Sequence, residues 1–320
     1  MKSILVTAIG GDISQSIAKI IRESDNNVRL LGVDMHCNHG GTLFVDEFIK
    51  VPPATDANYV DYISNIVNKH NVEVILPVTE VELVKLLNTT HNLNLIHCGK
   101  KIFNIGIDKL KTIQFLSQLG IEIPWTVDST ENDPLDLPCI IKPRNSFDPQ
   151  DLPSTIKPRG FNEKKLIFDV RSKKDVMFFK EKYHNAVFQE LLEPYEKEIT
   201  CAVYRTRDAQ VATVQFERLL IDNITVWAKV IYDDKIDDLL LTIANAFDLN
   251  GSINVQLRLT AKGPIIFEIN PRFSSTVLMR HKLGFSDVIW SLNEFYNQHP
   301  KLTNVKPGKT IVRIHNAACL

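Results

Sequence analysis

Short apolar runs alternate with helix-spaced apolar positions along the first hundred residues of the chain. Runs of strand length lie at residues 3–7, 28–33, 72–76 and 93–96. Apolar residues at helical spacing lie between them, at residues 13–22, 55–69 and 80–87. Strands that alternate with helices in this way are typical of a parallel sheet covered by helices. The pattern therefore predicts an N-terminal α/β domain.

The pattern changes in the rest of the chain. Asp108 and Lys109 open a predicted helix that ends before Gly120, and a polar, proline-bearing connector follows at residues 128–138. After this connector, strands separated by loops predominate. Further helices are predicted near residues 172–183, 234–247 and 286–297. This mixture predicts an α+β architecture behind the N-terminal domain.

Composition and charge describe a soluble globular protein. The chain has 320 residues, of which 44% are hydrophobic and 23% charged, and this length gives room for about two domains. The net charge of −1 gives no reason to expect a nucleic-acid or membrane partner. No stretch approaches the length of an apolar membrane span, and the apolar N-terminal run is too short for a signal peptide.

The five cysteines are scattered, odd in number and without C-x-x-C spacing. That distribution is unlike a disulfide framework or a structural zinc site, and it favours a reducing compartment. Together with the missing export and membrane signals, it predicts a cytoplasmic protein.

The most informative motif lies near the end of the chain. Gln256 belongs to an apolar strand, and Glu268 and Asn270 follow on a second strand after a turn at residues 261–264, with Arg272 just beyond. Side chains two apart on a strand point the same way, so a hairpin would bring the two amides and the carboxylate together. Such oxygen ligands suit Mg²⁺ held between protein and phosphates. An ordinary half-buried hairpin with a polar outer side fits the same residues.

Four other positions suggest contacts with an anionic or heteroaromatic ligand. Lys142 ends an apolar strand stopped by Pro143, where an ammonium suits phosphate oxygens. The Glu190-Leu-Leu192 segment ends a strand whose backbone groups can hold a flat ring, and Glu198 can accept from ribose hydroxyls. Taken singly, each of these residues also fits a solvated surface.

Arginines supply a further candidate for an anionic acceptor. Arg205, Arg207 and Arg218 lie near predicted strand ends. Arginine binds carboxylates and phosphates with two parallel hydrogen bonds. Arg218 is preferred because it follows the alternating strand at residues 211–216.

A glycine turn near the N-terminus offers a different site. Gly10 and Gly11 separate the first strand from the first helix, and Asp34 ends the next strand. This is the arrangement of a dinucleotide-binding domain, but Ile13 stands where the third glycine of the fingerprint belongs. A dinucleotide-dependent oxidoreductase therefore stays open as an alternative.

The order of these pieces resembles the ATP-grasp superfamily, and the closest likeness is to short proteins related to the carbamoyl-phosphate synthase large subunit. The likeness covers nearly the whole chain. It is carried by residues 4–17, residues 52–59, residues 75–80, Asp108-Lys109, residues 120–124 and the Glu268-x-Asn-Pro-Arg272 motif. The resemblance implies an N-terminal pre-ATP-grasp domain at residues 1–107, a small lobe at 108–188 and a large lobe at 189–320.

The resemblance also implies a nucleotide site. Lys109 and Lys142 would contact ATP phosphates, Glu190 and Leu192 would hold adenine mainly through backbone groups, and Glu198 would hold ribose. The family usually covers the phosphates with a glycine- and serine-rich loop. The corresponding residues 145–162 contain three prolines and one glycine, so the lid predicted here departs from the family pattern.

The implied metal site lies beside the phosphates. Glu268 would bridge two Mg²⁺ ions, for which Mn²⁺ may substitute, with Gln256 and Asn270 completing the ligands. Arg272 would stabilise the transferring phosphoryl group. Ala202 stands where the family usually has an acid four residues after Glu198.

These expectations describe an ATP- and Mg²⁺-dependent carboxylate–amine, or carboxylate–thiol, ligase that works through an acyl phosphate. Its partners would be small carboxylate and amine molecules, and a homodimer stays open. Members of this group resemble surface-polysaccharide enzymes, so an amino acid joined to an amino sugar is one substrate pair. A non-catalytic ATP-binding regulator is the third alternative, favoured if the proline-bearing lid cannot support transfer.

Overall fold

The computed structural model describes residues 2–25, 27–145, 167–195, 198–221 and 224–314. The N-terminal domain is a parallel sheet with strand order β3-β2-β1-β4. Its strands are β1 (Lys2–Val6), β2 (Val28–Asp34), β3 (Glu47–Lys50) and β4 (Val74–Leu76). Its helices are α1 (Asp12–Ser24), α2 (Tyr59–His70) and α3 (Glu80–Leu87), with a 3₁₀ turn at Gly40–Phe44.

Apolar residues cover both sides of this parallel sheet, as the continuous apolar runs of its strands require. On one side, α2 packs Tyr59 and Ile63 against Leu5 and Leu31. On the other side, α1 packs together with two helices from the end of the chain, α8 (Val277–Lys282) and α9 (Asp287–Phe295). The N-terminal domain and the C-terminal part of the chain therefore share one core.

The small lobe is an antiparallel sheet with strand order β5-β8-β6-β7. Its strands are β5 (Thr126–Asp128), β6 (Cys139–Pro143), β7 (Phe168–Val170) and β8 (Ala186–Glu190). Helix α6 (Lys173–Lys182) begins at a capping box formed by Ser172 and Asp175, and its Val176 joins the core of the lobe.

The large lobe is an antiparallel sheet with strand order β13-β12-β9-β10-β11-β14. Its strands are β9 (Glu198–Arg205), β10 (Val211–Ile221), β11 (Ile224–Ile231), β12 (Gly251–Thr260), β13 (Gly263–Asn270) and β14 (Thr310–Val312). Helices α4 (Lys100–Gly106), α5 (Lys109–Gln118) and α7 (Asp234–Ala246) pack on one side of it and build the largest apolar core.

The predicted fold class, a parallel α/β domain followed by two antiparallel lobes, is confirmed. The strand predicted at residues 93–96 is wrong, because only a single bridge joins Leu95 to Ile75. Of the predicted domain boundaries, 107/108 falls between α4 and α5, and 188/189 falls inside β8. Within the described ranges, no helix is long and apolar enough to cross a membrane.

Candidate active site

The large-lobe sheet places its polar residues on the side opposite the α5 and α7 core. Ile199 and Val255 point into that core, so their neighbours along the same strands point the other way. In the register of the sheet, Thr200 lies opposite Gln256, and Gln256 lies opposite Glu268. The alternation of apolar and polar residues thus builds one polar surface from three strands.

The hairpin of β12 and β13 brings the predicted oxygen ligands to this surface. Asn254 pairs with Asn270 two residues along from the Gln256 and Glu268 pair, on the same side of the sheet. A β-bulge between Gln256 and Leu257 leaves Phe267 as an extra residue in β13. Bulges re-aim groups beside functional sites. Here the main-chain carbonyl of Phe267 accepts a hydrogen bond of 3.3 Å from the Lys142 ammonium.

Lys109 reaches the same carboxylate from the first turn of α5. Its Nζ lies 3.4 Å from Oε1 of Glu268. The helix start is fixed because Asp108 caps α5 and is itself held by Arg144, whose carbonyl accepts from the Lys109 N–H at 3.0 Å. Burial alone would raise the pKa of Glu268, but the ammonium groups of Lys109 and Lys142 outweigh it and hold that pKa below its usual value.

Lys142 comes from β6 of the small lobe and is almost fully buried, with 3% of its surface exposed. Burial lowers its pKa to about 8, partly offset by the nearby Glu268 carboxylate. Burial disfavours the charged form of this ammonium, so neighbouring anions are needed to keep it protonated. Lys109, Lys142 and Glu268 therefore form a cation-rich cluster between the two lobes, suited to phosphate oxygens.

Glu198 lies between two arginines on neighbouring strands. It is opposite Arg258 on β12, whose Nη2 is 3.4 Å from its carboxylate, and Arg218 on β10 donates to its other oxygen. The side chains of both arginines are at least nine-tenths buried. The position predicted for Arg218, just after a strand, is wrong because β10 runs on to Ile221. The structure places Arg218 against Glu198.

The predicted adenine segment follows β8. The Glu190 carboxylate accepts from the Trp125 main-chain N–H at 3.2 Å, so its side chain is turned to β5. Leu192 is buried, and its carbonyl accepts a 2.9 Å bond from Arg258. The segment is thereby tied to the same arginine that contacts Glu198.

Arg272 lies two residues after the end of β13 and contacts the N-terminal domain. Its Nε donates to the carboxylate of Glu80 at 3.2 Å, and its Nη1 donates to the Phe273 carbonyl at 3.1 Å. Glu80 opens α3 and is buried, with 6% of its surface exposed. The arginine predicted to stabilise the phosphoryl group is therefore held by a carboxylate from another domain.

The N-terminal glycine turn is filled by protein groups. The N–H of Gly10 donates to Asp34 at 2.9 Å, and a Cβ at Gly10 would lie 2.9 Å from the His39 ring. Asp34 also accepts from the His36 N–H. The glycine is required for close packing with Asp34 and His39, since a Cβ at position 10 would collide with both side chains. The turn offers no geometric support for a dinucleotide.

The donor set suits Mg²⁺ bound together with phosphates. Across the described part of the chain, no group of three or more His, Cys, Asp or Glu side chains converges on a metal position. Glu268 supplies one carboxylate, next to the amide side chains of Gln256 and Asn270. Amide oxygens are good ligands for Mg²⁺. One carboxylate beside two ammonium groups leaves the negative charge to be supplied by the nucleotide. These residues would hold Mg²⁺ between the sheet and ATP phosphates.

Three residues that lie on or beside the site were absent from the sequence predictions of the site. Arg258 is two residues beyond Gln256 and so shares its side of β12, a signal that strand alternation already carries. Glu80 ends the motif at residues 75–80 but had no assigned role. Asn254 is buried, and its Nδ2 has no hydrogen-bond partner among the described residues. Of the predicted lid at 145–162, residues 146–162 lie outside the described residues.

Two family models match the sequence. Residues 184–317 match a model described as ATP-grasp in the biosynthetic pathway with Ter operon, and residues 4–98 match the PylC-like N-terminal domain. No curated protein matched the chain.

Solved structures with the same fold cover nearly all of the chain. N5-carboxyaminoimidazole synthetase from Staphylococcus aureus complexed with ADP has a TM-score of 0.73 at 16% identity, covering 97% of this chain and 80% of that one. L-amino acid ligase from Bacillus licheniformis has a TM-score of 0.73 at 14% identity, covering 97% of this chain and 78% of that one. The biotin carboxylase domain of Hydrogenobacter thermophilus 2-oxoglutarate carboxylase, with MgADP and bicarbonate, has 0.72 at 14%, covering 97% and 73%.

At these identities the structural likeness shows the fold alone, and the family models add the domain types. Residues 4–98 are therefore similar to the PylC-like N-terminal domain and residues 184–317 to an ATP-grasp domain, and the predicted resemblance to the ATP-grasp superfamily is confirmed.

Proposed function

We propose that this protein is an ATP- and Mg²⁺-dependent ligase that joins a carboxylate to an amine through an acyl phosphate. The observation that carries the proposal is the meeting of Lys109, Lys142 and Glu268 between the two lobes, beside the amides of Gln256 and Asn270. This set has the cations for a triphosphate and the oxygens for its metal.

In the proposed reaction, an oxygen of the substrate carboxylate attacks the γ-phosphorus, and the bond to the β-phosphate oxygen breaks to release ADP. The amine nitrogen then attacks the acyl carbon, inorganic phosphate leaves and the amine loses a proton. Bound Mg²⁺ would neutralise charge on the β- and γ-phosphates. Activation is needed because a free carboxylate is a poor acyl donor, whereas an acyl phosphate carries a good leaving group.

The residues of this chain would act by position and charge. Lys109 and Lys142 would hold phosphate oxygens in line, and Arg272 would face the γ-phosphate from the end of β13. Glu268 would hold the metal together with Gln256 and Asn270. No covalent protein intermediate is required, which fits a site whose described groups are ammonium, guanidinium, carboxylate and amide.

For the substrates, we infer an amino acid as the carboxylate donor and an amino sugar as the acceptor. The Bacillus licheniformis neighbour is an L-amino acid ligase, and the matched family model is named for a biosynthetic pathway. Both support small-molecule ligation as the class. The acceptor would bind near the carboxyl ends of β1 and β4, where Glu80 meets Arg272.

The test is calorimetric titration of ATP, with and without Mg²⁺, into wild type and Glu268→Gln, followed by ADP release with a panel of amino acids and hydroxylamine as the acceptor. We expect Mg²⁺-dependent ATP binding that Glu268→Gln weakens about tenfold or more. We also expect a hydroxamate to form with at least one amino acid. Glu47→Gln, which removes a charge from a half-exposed pair with Arg29, is the matched control and should bind ATP normally.

Two results would overturn the proposal. In a separate titration with NAD, binding of NAD without ATP would move the nucleotide to the N-terminal glycine turn and support the oxidoreductase alternative. ATP binding without ADP formation across carboxylates and amines would identify a nucleotide-binding regulator.

A further inference from the structure

We infer that Arg258 is a positioning residue. It fixes the predicted adenine segment, residues 190–192, relative to the predicted ribose acid, Glu198, so that the protein selects nucleotides by their ribose hydroxyls. This inference rests on the proposed nucleotide site. It assigns a role to a residue that neither the ligase motif nor the predicted ligand contacts include.

The Arg258 guanidinium contacts two parts of the chain at once. Nη1 donates to the Leu192 carbonyl at 2.9 Å, and Nη2 lies 3.4 Å from Oε2 of Glu198. Leu192 follows the last strand of the small lobe, whereas Glu198 opens the first strand of the large lobe. One planar group therefore sets the spacing between the adenine segment and the ribose acid.

Aromatic rings hold the guanidinium in place. Its carbon lies 4.7 Å from the centre of the Tyr195 ring and 5.5 Å from that of Phe267. Cation–π contacts of this kind favour arginine over lysine because the planar group can stack. Phe267 is the bulge residue whose carbonyl accepts a hydrogen bond from Lys142. The same residue therefore contacts both Lys142 and Arg258.

The number of charges supports a positioning role. Arg218 already pairs with the other oxygen of Glu198, so a second arginine is not needed to balance the charge of that carboxylate. The Arg258 side chain is 8% exposed, and its buried Nε has no partner among the described residues. A buried N–H without a partner is unfavourable. The guanidinium is therefore oriented by the two contacts made by its Nη atoms.

The Glu198 carboxylate, held by Arg218 and Arg258, would recognise ribose hydroxyls. A carboxylate held by arginines on two sides can accept from the 2′- and 3′-hydroxyls without reorienting. If Arg258 is removed, Glu198 stays paired with Arg218 but loses its fixed distance to the adenine segment. The base and ribose contacts can then no longer be made together, and the preference for ribose over its deoxy form should fall.

The experiment compares the dissociation constants of ATP and 2′,3′-dideoxy-ATP in wild type, Arg258→Met and Arg258→Lys. Wild type should bind ATP about tenfold or more tightly than the dideoxy nucleotide, since charged hydrogen bonds are lost. Arg258→Met should weaken ATP about tenfold and reduce the ratio toward one. Arg258→Lys keeps the charge but cannot span both acceptors, so its ratio should also fall; it carries the test if the Met variant does not fold.

Arg205→Met is the matched control. Arg205 is also a largely buried arginine on the same sheet, and it donates to the Leu249 carbonyl at 2.9 Å while pairing with Asp248, away from the site. Its removal should leave the ratio at the wild-type value. An unchanged ratio in the Arg258 variants, with or without weaker ATP binding, would overturn the inference and leave the ligase proposal standing. If wild type bound no ATP, both would fall.

Discussion

Arg272 at the end of β13 and Glu80 at the start of α3 form a hydrogen-bonded ion pair of 3.2 Å between two domains. Glu80 is buried, and its second oxygen has no partner among the described residues. The pair holds the guanidinium by its Nε, while Nη1 donates to the Phe273 carbonyl at 3.1 Å. The N-terminal domain thus orients an arginine of the ATP-grasp domain.

The first prediction concerns this pair. Glu80→Gln should lower the rate of ADP formation about tenfold or more while changing the dissociation constant of ATP less than about twofold. The reason is that a misdirected Arg272 affects the transferring phosphoryl group and not the bound nucleotide. The measurement is steady-state ADP release together with calorimetric ATP binding.

The control for this prediction is Arg272→Lys, which keeps the charge but loses the planar group. If Glu80 acts through Arg272, the double variant Glu80→Gln with Arg272→Lys should be hardly slower than Arg272→Lys alone. Independent, multiplicative losses would contradict the relationship.

The second prediction is a pH dependence caused by Lys142. Burial lowers its pKa to about 8, so the folded protein holds the ammonium below that pH and loses it above. Affinity for ADP should therefore change little near neutrality and weaken as the pH rises through about 8. The last phosphate proton has a pKa of about 6, roughly two units lower, so the phosphate changes its charge little in this window. Calorimetry with ADP from about pH 7 to about pH 9.5 measures the effect.

The stability of the protein should change in the opposite sense. Between about pH 8 and the usual lysine pKa near 10.5, the unfolded chain keeps the proton that folded Lys142 has lost. The contribution of Lys142 to stability therefore rises with pH across this range.

The control for the binding experiment is Lys142→Met, which should bind ADP weakly and without the pH-dependent change in affinity. A step of the same size in Lys142→Met would assign the titration to another group.

Much of the site followed from the sequence because its signals were local. Gln256, Glu268 and Asn270 lie on two strands joined by a short turn, so strand alternation and the turn were enough to place them side by side. Lys142 at a strand end and Lys109 at a helix start were equally readable.

The rest depended on contacts between distant segments. That Arg258 faces Glu198 follows from the register of β12 against β9, which alternation within one strand does not reveal. Glu80 and Arg272 meet where Phe273, α8 and α9 pack with α1 on the N-terminal sheet. The short helix α8 was missed for a similar reason, since its stability comes from that shared core.

The third prediction concerns this shared core. Arg280 and Asp287 are fully buried, with bonds of 3.0 and 2.7 Å between them, and Ser274 and Thr276 accept from the same guanidinium. Arg280→Met leaves the carboxylate buried without its cation and should lower the free energy of unfolding by about 3–5 kcal/mol. Urea unfolding followed by tryptophan fluorescence measures this.

Two comparisons make that result specific. Arg22→Met removes an exposed pair with Asp46 and should cost less than about 1 kcal/mol. Adding Asp287→Leu to Arg280→Met should recover part of the loss, because the uncompensated charge disappears with it. A double variant less stable than Arg280→Met would show that packing, and not the buried charge, dominates.

The last prediction concerns the metal. Glu268 is accompanied by amides, while Lys109 lies 3.4 Å from its carboxylate and Lys142 is close by. These ammonium groups repel a divalent cation until phosphates neutralise them. Mg²⁺ alone should therefore give no measurable heat of binding at millimolar concentration, whereas Mg²⁺ with ADP should bind. In Lys109→Met, one repelling charge is gone, so any nucleotide-free Mg²⁺ binding should strengthen while ADP binding weakens. Tight Mg²⁺ binding to the nucleotide-free wild type would mean that the protein alone completes the metal site.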